Sequence, residues 1–257
     1  MRNLRLTIEY DGTDFAGWQV QAVGRTVQGE LERAIERITG NRATVYGAGR
    51  TDAGVHAAGQ VASFRSDTAL EPGRLLRALE ATTPHDIAIL AVEDADPSFH
   101  ARRSATGKHY SYALQGGWPR PALDRRRVAA VWGRLDHAAM RLAAEVLVGR
   151  HDFAAFQGAN SPRATTERTL ARCELVPDAR LPNRLVVHLE ADGFLYKMCR
   201  AIVGTLVEVG RGALTVDAVR ALLQDPAGQK AGFTAPAHGL TLERVFYSSA
   251  PGGPSTP

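Results

Sequence analysis

The order in which predicted strands and helices follow one another constrains the fold of this chain more than any other feature. Alternating apolar and polar residues predict a strand over 4–10, and Asp11-Gly12 supplies a turn after it. Thr26 can cap a helix that continues to Thr39 and stops at Gly40. Four further elements complete the order β-α-β-β-α-β: strands over 43–48, 59–65 and 87–92 and a helix over 71–81.

The second half of the chain repeats this order with longer connections. Residues 116–127, which hold Trp118 and the triplet Arg125-Arg126-Arg127, are predicted to form a loop. Two successive β-α-β-β-α-β units predict an α+β fold of two ferredoxin-like halves, with domains at 1–104 and 105–247 and a disordered tail at 248–257. The predicted elements are strands over 109–114, 169–176, 185–190 and 240–247 and helices over 136–148, 194–209 and 216–223.

Arginine dominates the basic residues of the chain. Lys and Arg total 31 against 27 Asp and Glu, and only Lys108, Lys197 and Lys230 are lysines. The guanidinium group can bind phosphate through two parallel hydrogen bonds and can stack on bases. The composition therefore favours a nucleic-acid partner.

Several protein classes are disfavoured by what the sequence lacks. The N-terminus has no apolar stretch of signal-peptide length, and no segment approaches the roughly 18–20 apolar residues of a membrane span. Cys173 and Cys199 form no CxxC pair, and the histidines form no HxH or HxxxH pair. We therefore expect a cytoplasmic protein without a disulfide framework or a metal site.

An acidic residue lies at the centre of the glycine-rich segment 47–54. A dinucleotide-binding loop is excluded because Asp52 occupies the position of the third glycine, and because a strand rather than a helix follows. Two interpretations remain for the loop over 49–57. Asp52 is a catalytic carboxylate flanked by Arg50 and His56, or it accepts backbone hydrogen bonds in a structural turn.

Two other segments combine aromatic residues with charged ones. Residues 10–19 place three aromatic side chains among two acids and two glycines, and residues 99–112 add basic residues to tyrosines and a phenylalanine. Basic and aromatic side chains together suit contact with an RNA backbone and stacking on its bases. Strand ends carry aromatic residues for structural reasons as well, so this pattern alone leaves both interpretations open.

The loop over 49–57 reads GRTDAGVHA and resembles the signature loop of the tRNA pseudouridine synthase A family. Four more segments resemble the family in its own order along the chain: 10–19 with YDG and GWQ, 99–110 with FHAR and SA, 151–156 with HDFAAF, and 194–210 with MCR and VG. The closing strand after Gly239 also resembles that of the family. The sequence departs from the family at two positions of the segment 194–210: Cys199 stands where the family commonly has an aliphatic residue, and Ala201 stands where it often has Asn.

The resemblance implies two ferredoxin-like (RRM-like) halves whose antiparallel sheets adjoin around a central catalytic cleft, and a homodimer. It implies isomerisation of uridine to pseudouridine at positions 38, 39 and 40 of the tRNA anticodon stem-loop, with no metal or organic cofactor. Asp52 would be the nucleophile, Tyr110 would pack on the target uracil, and Arg200 would pair with the Asp52 carboxylate. Attack at C1′ of the sugar, attack at C6 of the base and removal of a sugar proton to give a glycal all remain open.

The remaining site predictions concern contact with RNA. Arg50 and His56, which flank Asp52, are predicted to bind substrate, and Arg25 and Arg102 are predicted to meet phosphates. A structural hydrogen bond is the competing interpretation for the imidazole of His56. Further candidate phosphate ligands are Arg103, Lys108 and the triplet Arg125, Arg126 and Arg127.

Two other functions fit the same residues. A non-catalytic RNA-binding protein of two RRM-like modules would bind tRNA without converting uridine, even when the Asp52 carboxylate is removed. A small-molecule lyase or hydrolase that uses Asp52 would be active without RNA.

Overall fold

The computed structural model describes residues 1–159, 165–179, 181, 183–226 and 229–248. The tail that the sequence predicts to be disordered lies outside the described residues from position 249 on. The chain divides into two compact units, of which the first comprises Met1–Gly107 together with the end of the chain from Leu242, and the second comprises Lys108–Thr241.

The first unit is an antiparallel sheet with helices, in the predicted order. Strand β1 lies between β4 and β3, and β2 pairs with Ala62 and Ser63 of β3. The core contains Leu4, Leu6 and Ile8 of the central strand, all fully buried. The elements are β1 (Arg2–Tyr10), α1 (Val27–Thr39), β2 (Tyr46–Gly47), β3 (His56–Ser66), α2 (Pro72–Thr82) and β4 (Ile87–Ala95).

Helix α1 has the two ends that the sequence predicts. The hydroxyl of Thr26 accepts a hydrogen bond from the backbone N–H of Gly29, and Gly40 adopts the left-handed conformation with φ of 74°. A hydroxyl cap at the start and a glycine in the left-handed region at the end are strong local signals. Prediction and structure therefore agree on this helix.

Strand β2 is shorter than predicted, because only Tyr46 and Gly47 of the segment 43–48 are in a strand. The N–H of Val45 donates to the carboxylate of Glu32 on α1, at 3.0 Å, instead of to a neighbouring strand. The Asp52 loop is therefore preceded by a strand of two residues that ends at Gly47. It is followed by β3, which starts at His56.

The last strand of the chain, β10 (Leu240–Tyr247), neighbours β3 in the first unit. The two strands approach closely, since a Cβ on Gly59 would lie 2.3 Å from the carbonyl oxygen of Glu243. The hydroxyl of Tyr247 donates to the carbonyl of Ala101 at 2.7 Å. The first unit is thus completed by residues from the far end of the sequence.

The second unit has an antiparallel sheet in the order β5-β9-β8-β7, with the short β6 pairing in parallel with β5. The sequence predicted neither β6 nor β7. Within the described residues, no helix combines the length and the hydropathy needed to cross a membrane. The elements are β5 (Ala105–Gly116), β6 (Ala129–Val131), α3 (His137–Leu147), β7 (Gly149–Asp152), β8 (Glu167–Pro177), β9 (Arg184–Ala191), α4 (Met198–Gly210) and α5 (Val216–Gln224).

Helix α4 begins at Met198, so the prediction of a helix over 194–209 was wrong at its start. Lys197 adopts a left-handed conformation with φ of 62°, which a helix cannot continue through. Phe194 therefore precedes the helix, whereas Arg200 lies in its first turn.

Candidate active site

The Asp52 loop is held in place by its own backbone. The carbonyl of Thr51 accepts a hydrogen bond from the N–H of Trp18 at 3.1 Å, and the carbonyl of Asp52 accepts one from the N–H of Val55 at 3.2 Å. Gly54, inside this turn, has a φ of 77°, a value that favours glycine. These bonds use main-chain atoms on both sides of Asp52, so they fix where its side chain starts without engaging the carboxylate.

The segment 10–19 packs directly on this loop through two glycines. A Cβ on Gly12 would lie 1.9 Å from the carbonyl oxygen of Val55, and one on Gly17 would lie 2.8 Å from that of Thr51. Neither position can accept a side chain without moving the loop. The two motifs that the sequence analysis singled out are therefore parts of one packed structure.

A network of buried polar side chains forms hydrogen bonds to the Asp52 loop. The hydroxyl of Tyr10 lies 2.8 Å from Oγ1 of Thr51, and the side-chain amide of Gln60 donates to the carbonyl of Gly49 at 2.9 Å. Burial raises the pKa of Tyr10 to about 12, opposed by its hydrogen bonds to Thr51 and Gln60. Tyr10 is therefore a neutral phenol at physiological pH, and its hydroxyl contacts the residue that precedes Asp52.

His56 is buried, with 2% of its surface exposed. Its Nδ1 lies 3.0 Å from the backbone nitrogen of Gly12 and 3.1 Å from Oδ1 of Asp11. The backbone N–H of Gly12 donates to Nδ1, so the imidazole is held by the segment that packs on the Asp52 loop. This geometry is the structural hydrogen bond that competed with substrate binding; contact of His56 with substrate stays a prediction.

Arg25 lies in an ion-pair network of the first unit. Its guanidinium donates to both carboxylate oxygens of Asp86, at 2.5 and 2.8 Å, and to Glu30 at 2.7 Å, and it stacks 4.2 Å above the ring of Phe15. These bonds, Asp86 first, raise the pKa of Arg25. Two carboxylates therefore pair with the guanidinium group that the sequence predicted to bind a phosphate. Contact of Arg25 with a phosphate stays a prediction.

Arg50, Arg102 and Arg103 are exposed, as residues that meet a polyanion need to be. An aromatic residue that was not predicted from the sequence, Tyr46, contacts the segment that carries Arg102 and Arg103. Tyr46 of β2 is 51% exposed, and its ring lies 5.1 Å from that of His100. The signal that could have found Tyr46 is its position at the end of a short strand just before the glycine-rich loop.

In the second unit, Tyr110 lies on β5 and is buried, with 6% of its surface exposed. The ring of Phe194 meets it edge to face, with centroids 5.2 Å apart and planes at 86°. This contact fixes the plane of the phenol ring. Phe194 makes this edge-to-face contact from the non-helical segment that precedes α4.

Arg200 is fixed against a neighbouring segment of the second unit. Its Nε donates to the carbonyl of Ala235 at 2.7 Å, and the N–H of Ala235 donates to the carbonyl of Arg200 at 3.1 Å. Gly204 lets this segment approach α4, since a Cβ there would lie 1.7 Å from the carbonyl oxygen of Phe233. Arg200 is therefore not the freely solvated cation that most helical arginines are.

A surface segment of the second unit carries the arginine triplet 125–127. All three side chains are exposed, as is the pair Trp118 and Trp132, whose rings lie 4.9 Å apart. The segment is tied down at Asp124, which pairs with Arg184 at 2.7 Å. It therefore presents large apolar and cationic side chains to the surroundings.

The predicted site residues divide between the two units. Arg25, Arg50, Asp52, His56 and Arg102 lie in the first, and Tyr110 and Arg200 lie in the second. Among the described residues, no three His, Cys, Asp or Glu side chains are grouped so that they could hold a metal ion.

Comparison with known proteins identifies relatives over almost the whole chain. A family model described as tRNA pseudouridine synthase matches residues 6–102 and 143–248. A protein of Clostridium perfringens (strain 13 / Type A) named tRNA pseudouridine synthase A 2 is 40% identical over 247 residues, which cover 96% of this chain and 100% of that protein. Proteins named tRNA pseudouridine synthase A are 42% identical over 247 residues in Acetivibrio thermocellus and 43% identical over 248 residues in Citrifermentans bemidjiense, covering 96% of this chain and 100% and 98% of theirs.

Proposed function

Because this chain belongs to the tRNA pseudouridine synthase family, it converts uridine to pseudouridine in tRNA, and we propose that Asp52 is the nucleophile of this isomerisation. The observation that supports the proposal is the rigid loop around Asp52. Backbone hydrogen bonds, two close glycine contacts and the buried Tyr10 network all act on Asp52 or on residues of the same loop close to it in sequence. Such support is what positioning a reactive carboxylate requires.

The reaction breaks the bond between C1′ and N1, turns the uracil and joins C1′ to C5. The proton at C5 leaves and N1 gains one, so the product is an isomer and needs no oxidant or co-substrate. A carboxylate that bonds to the nucleotide splits this change into two easier steps and keeps the detached fragment on the enzyme. Attack at C1′, attack at C6 and the glycal route each fit these requirements.

We further propose that Tyr110 packs on the target uracil and that Arg200 pairs with the Asp52 carboxylate. Extrusion of a stacked base costs a few kcal/mol, and stacking on an aromatic ring recovers about 1–3 kcal/mol of it. Phe194 sets the plane of the Tyr110 ring in advance. The bond of Arg200 Nε to Ala235 holds this side chain in place, and a guanidinium group beside a carboxylate keeps the carboxylate ionised.

The proposed substrate site is positions 38, 39 and 40 of the anticodon stem-loop, on a fold of two ferredoxin-like halves. In the first unit, the strand order β4-β1-β3-β2 is that of a ferredoxin-like sheet and supports the fold proposal. The exposed Arg50, Arg102 and Arg103 supply charge for the RNA backbone.

The decisive test replaces the Asp52 carboxylate with an amide. We expect Asp52→Asn to lower single-turnover pseudouridine formation on an unmodified tRNA transcript by at least about 10³-fold, and to leave the Kd for the transcript within about threefold. Asp14→Asn, an exposed acid of the adjoining segment, is the matched control and should keep full activity. Near-normal turnover in Asp52→Asn would refute the nucleophile assignment.

The proposed role of Arg200 has its own test. Arg200→Ala should lower the single-turnover rate by about 10²-fold or more while affinity for tRNA falls little, because a lost counter-ion changes the carboxylate rather than the RNA contacts. Arg220→Ala on α5 removes an exposed helical arginine and should have no effect. Equal rates in the two variants would argue against the ion pair.

We also propose a homodimer, supported by the apolar surface of the second unit. Trp118, Leu123 and Trp132 are 74%, 97% and 55% exposed, and large exposed apolar groups on one chain commonly mark an interface. Light scattering should give twice the chain mass for the wild type and the mass of one chain for Trp118→Glu/Trp132→Glu. A monomeric wild type would contradict the proposal.

A further inference from the structure

Tyr46, which is exposed, and His100, which is half-buried, form an aromatic pair in the first unit, and Ser63 links the two segments that carry them. Tyr46 pairs with Ser63 in the register of β2 and β3. The Ser63 hydroxyl accepts a hydrogen bond from the N–H of Ala101 at 3.1 Å, which brings His100 against β2. The two rings lie 5.1 Å apart at 42°.

The imidazole of His100 is neutral at pH 7. Its Nδ1 accepts hydrogen bonds from the backbone N–H groups of Arg102, at 3.1 Å, and Arg103, at 3.4 Å. Main-chain nitrogens can only donate, so Nδ1 must be unprotonated and the ring neutral. The side chain therefore offers a flat, uncharged face at pH 7, next to the phenol of Tyr46.

The exposure of Tyr46 is unexpected for a residue that serves packing alone. Half of its surface remains open, and no hydrogen bond of its hydroxyl is found among the described residues. Its strand leads directly to the Asp52 loop, and Trp18 fixes the end of that strand, since a Cβ on Gly47 would lie 2.4 Å from the indole ring. The main chain that carries Tyr46 is thus fixed next to the loop.

Cationic residues accompany both members of this pair. Arg102 and Arg103 are exposed, and their charges act on His100. Arg50, which is also exposed, follows Tyr46 in the chain and lies in the Asp52 loop. An aromatic surface among arginines is the combination with which proteins bind unpaired nucleotides, because bases stack on the rings while phosphates meet the guanidinium groups. The same cations disfavour an apolar protein partner.

We propose that Tyr46 and His100 form a stacking platform for an unpaired base of the tRNA anticodon arm, next to the Asp52 loop. The proposal rests on the proposed function in one respect, namely that the ligand is the tRNA substrate. The platform binds a base other than the target uridine, so its contribution is to affinity and to placement of the strand. The chemical step does not involve it.

The test is the variant Tyr46→Ala in the full chain, with an unmodified anticodon stem-loop RNA as the probe. We expect Kd and KM to rise about 5- to 150-fold, the range that loss of one stacked base produces, with kcat within about threefold. Tyr46→Phe keeps the ring and should restore both constants. Leu90→Ala removes an equally exposed apolar side chain, 50% against 51%, from β4 of the same unit and should change nothing.

A fluorescent readout identifies the stacked base. Placing 2-aminopurine at each loop position in turn should show one position quenched by the wild type and by Tyr46→Phe but not by Tyr46→Ala. Unchanged Kd in Tyr46→Ala, or equal losses in the Ala and Phe variants, would overturn the proposal. Repeating the binding series in the Asp52→Asn background separates the two hypotheses, because binding there does not depend on whether Asp52 is the nucleophile.

Discussion

Gly17 lies directly against the carbonyl oxygen of Thr51, at a distance that leaves no room for a side chain. A Cβ at position 17 would stand 2.8 Å from that oxygen, and the φ of Gly17 is 111°. Thr51 is the residue before Asp52. The contact between an early loop and the loop of the proposed nucleophile thus determines where the main chain of Asp52 lies.

Substitution of Gly17 should damage catalysis more than stability. We expect Gly17→Ala to lower kcat/KM by about 10²-fold, because displacing a reactive group by a fraction of an ångström to one ångström has effects of that size. Gly40→Ala is the control: its φ is 74°, but nothing lies within 4 Å of the added carbon. It should cost about 1–2 kcal/mol of unfolding free energy and leave turnover intact. Equal kinetic effects in both variants would contradict the positioning role.

The hydrogen bond between Tyr10 and Thr51 should contribute to the same positioning. Tyr10→Phe removes the buried hydroxyl, and we expect a loss of about 1–2 kcal/mol in stability and a severalfold lower kcat. Thr51→Val removes the other partner of the same bond. The double variant should therefore lose less than the sum of the two single variants. The losses are measured by chemical denaturation and single-turnover kinetics. Strictly additive losses would show that the two hydroxyl groups contribute independently and not through their hydrogen bond.

Arg25 and Arg102 should behave in opposite ways although both were predicted to meet phosphates. Arg25→Gln breaks the bonds to Asp86 and Glu30 and should lower the unfolding free energy by about 1–3 kcal/mol, with little change in the salt dependence of tRNA binding. Arg102→Gln should leave stability unchanged and reduce the slope of log Kd against log salt by about 0.7–0.9. A reduced slope in Arg25→Gln would instead favour its role as a phosphate ligand.

The protonation of His100 predicts a pH dependence of stability. Burial, followed by the charges of Arg103 and Arg102, lowers its pKa below the ordinary value of 6.5. As the pH falls below about 6.5, the unfolded chain takes up the proton before the folded chain does, so the folded state loses stability until its own pKa is reached. Above pH 6.5 the residue contributes no slope. Denaturation at pH 8, 7, 6 and 5 should show this loss in the wild type, and a smaller one in His100→Asn.

The predictions from sequence succeeded where the signals were local. The cap at Thr26 and the stop at Gly40 lie at the ends of α1, and both are readable from neighbouring residues. The start of α4 could not be predicted, because Lys197 adopts a left-handed conformation, which residues other than glycine rarely do and which its sequence context does not signal. Long-range partners explain the remaining differences. Arg25 meets Asp86, and His56 meets Gly12, only once the sheet has formed.

The position of β10 in the first unit has a consequence for synthesis of the protein. Residues 1–107 leave the ribosome long before residues 242–247, yet β3 pairs on its second side only with the two residues of β2 until β10 arrives. A chain that terminates early, upstream of residue 242, would keep every residue of the Asp52 loop and still expose the backbone donors and acceptors of β3. Unpaired strands of this kind invite pairing between chains. Truncated products should therefore be found in inclusion bodies or among protease substrates rather than as weakly active enzyme.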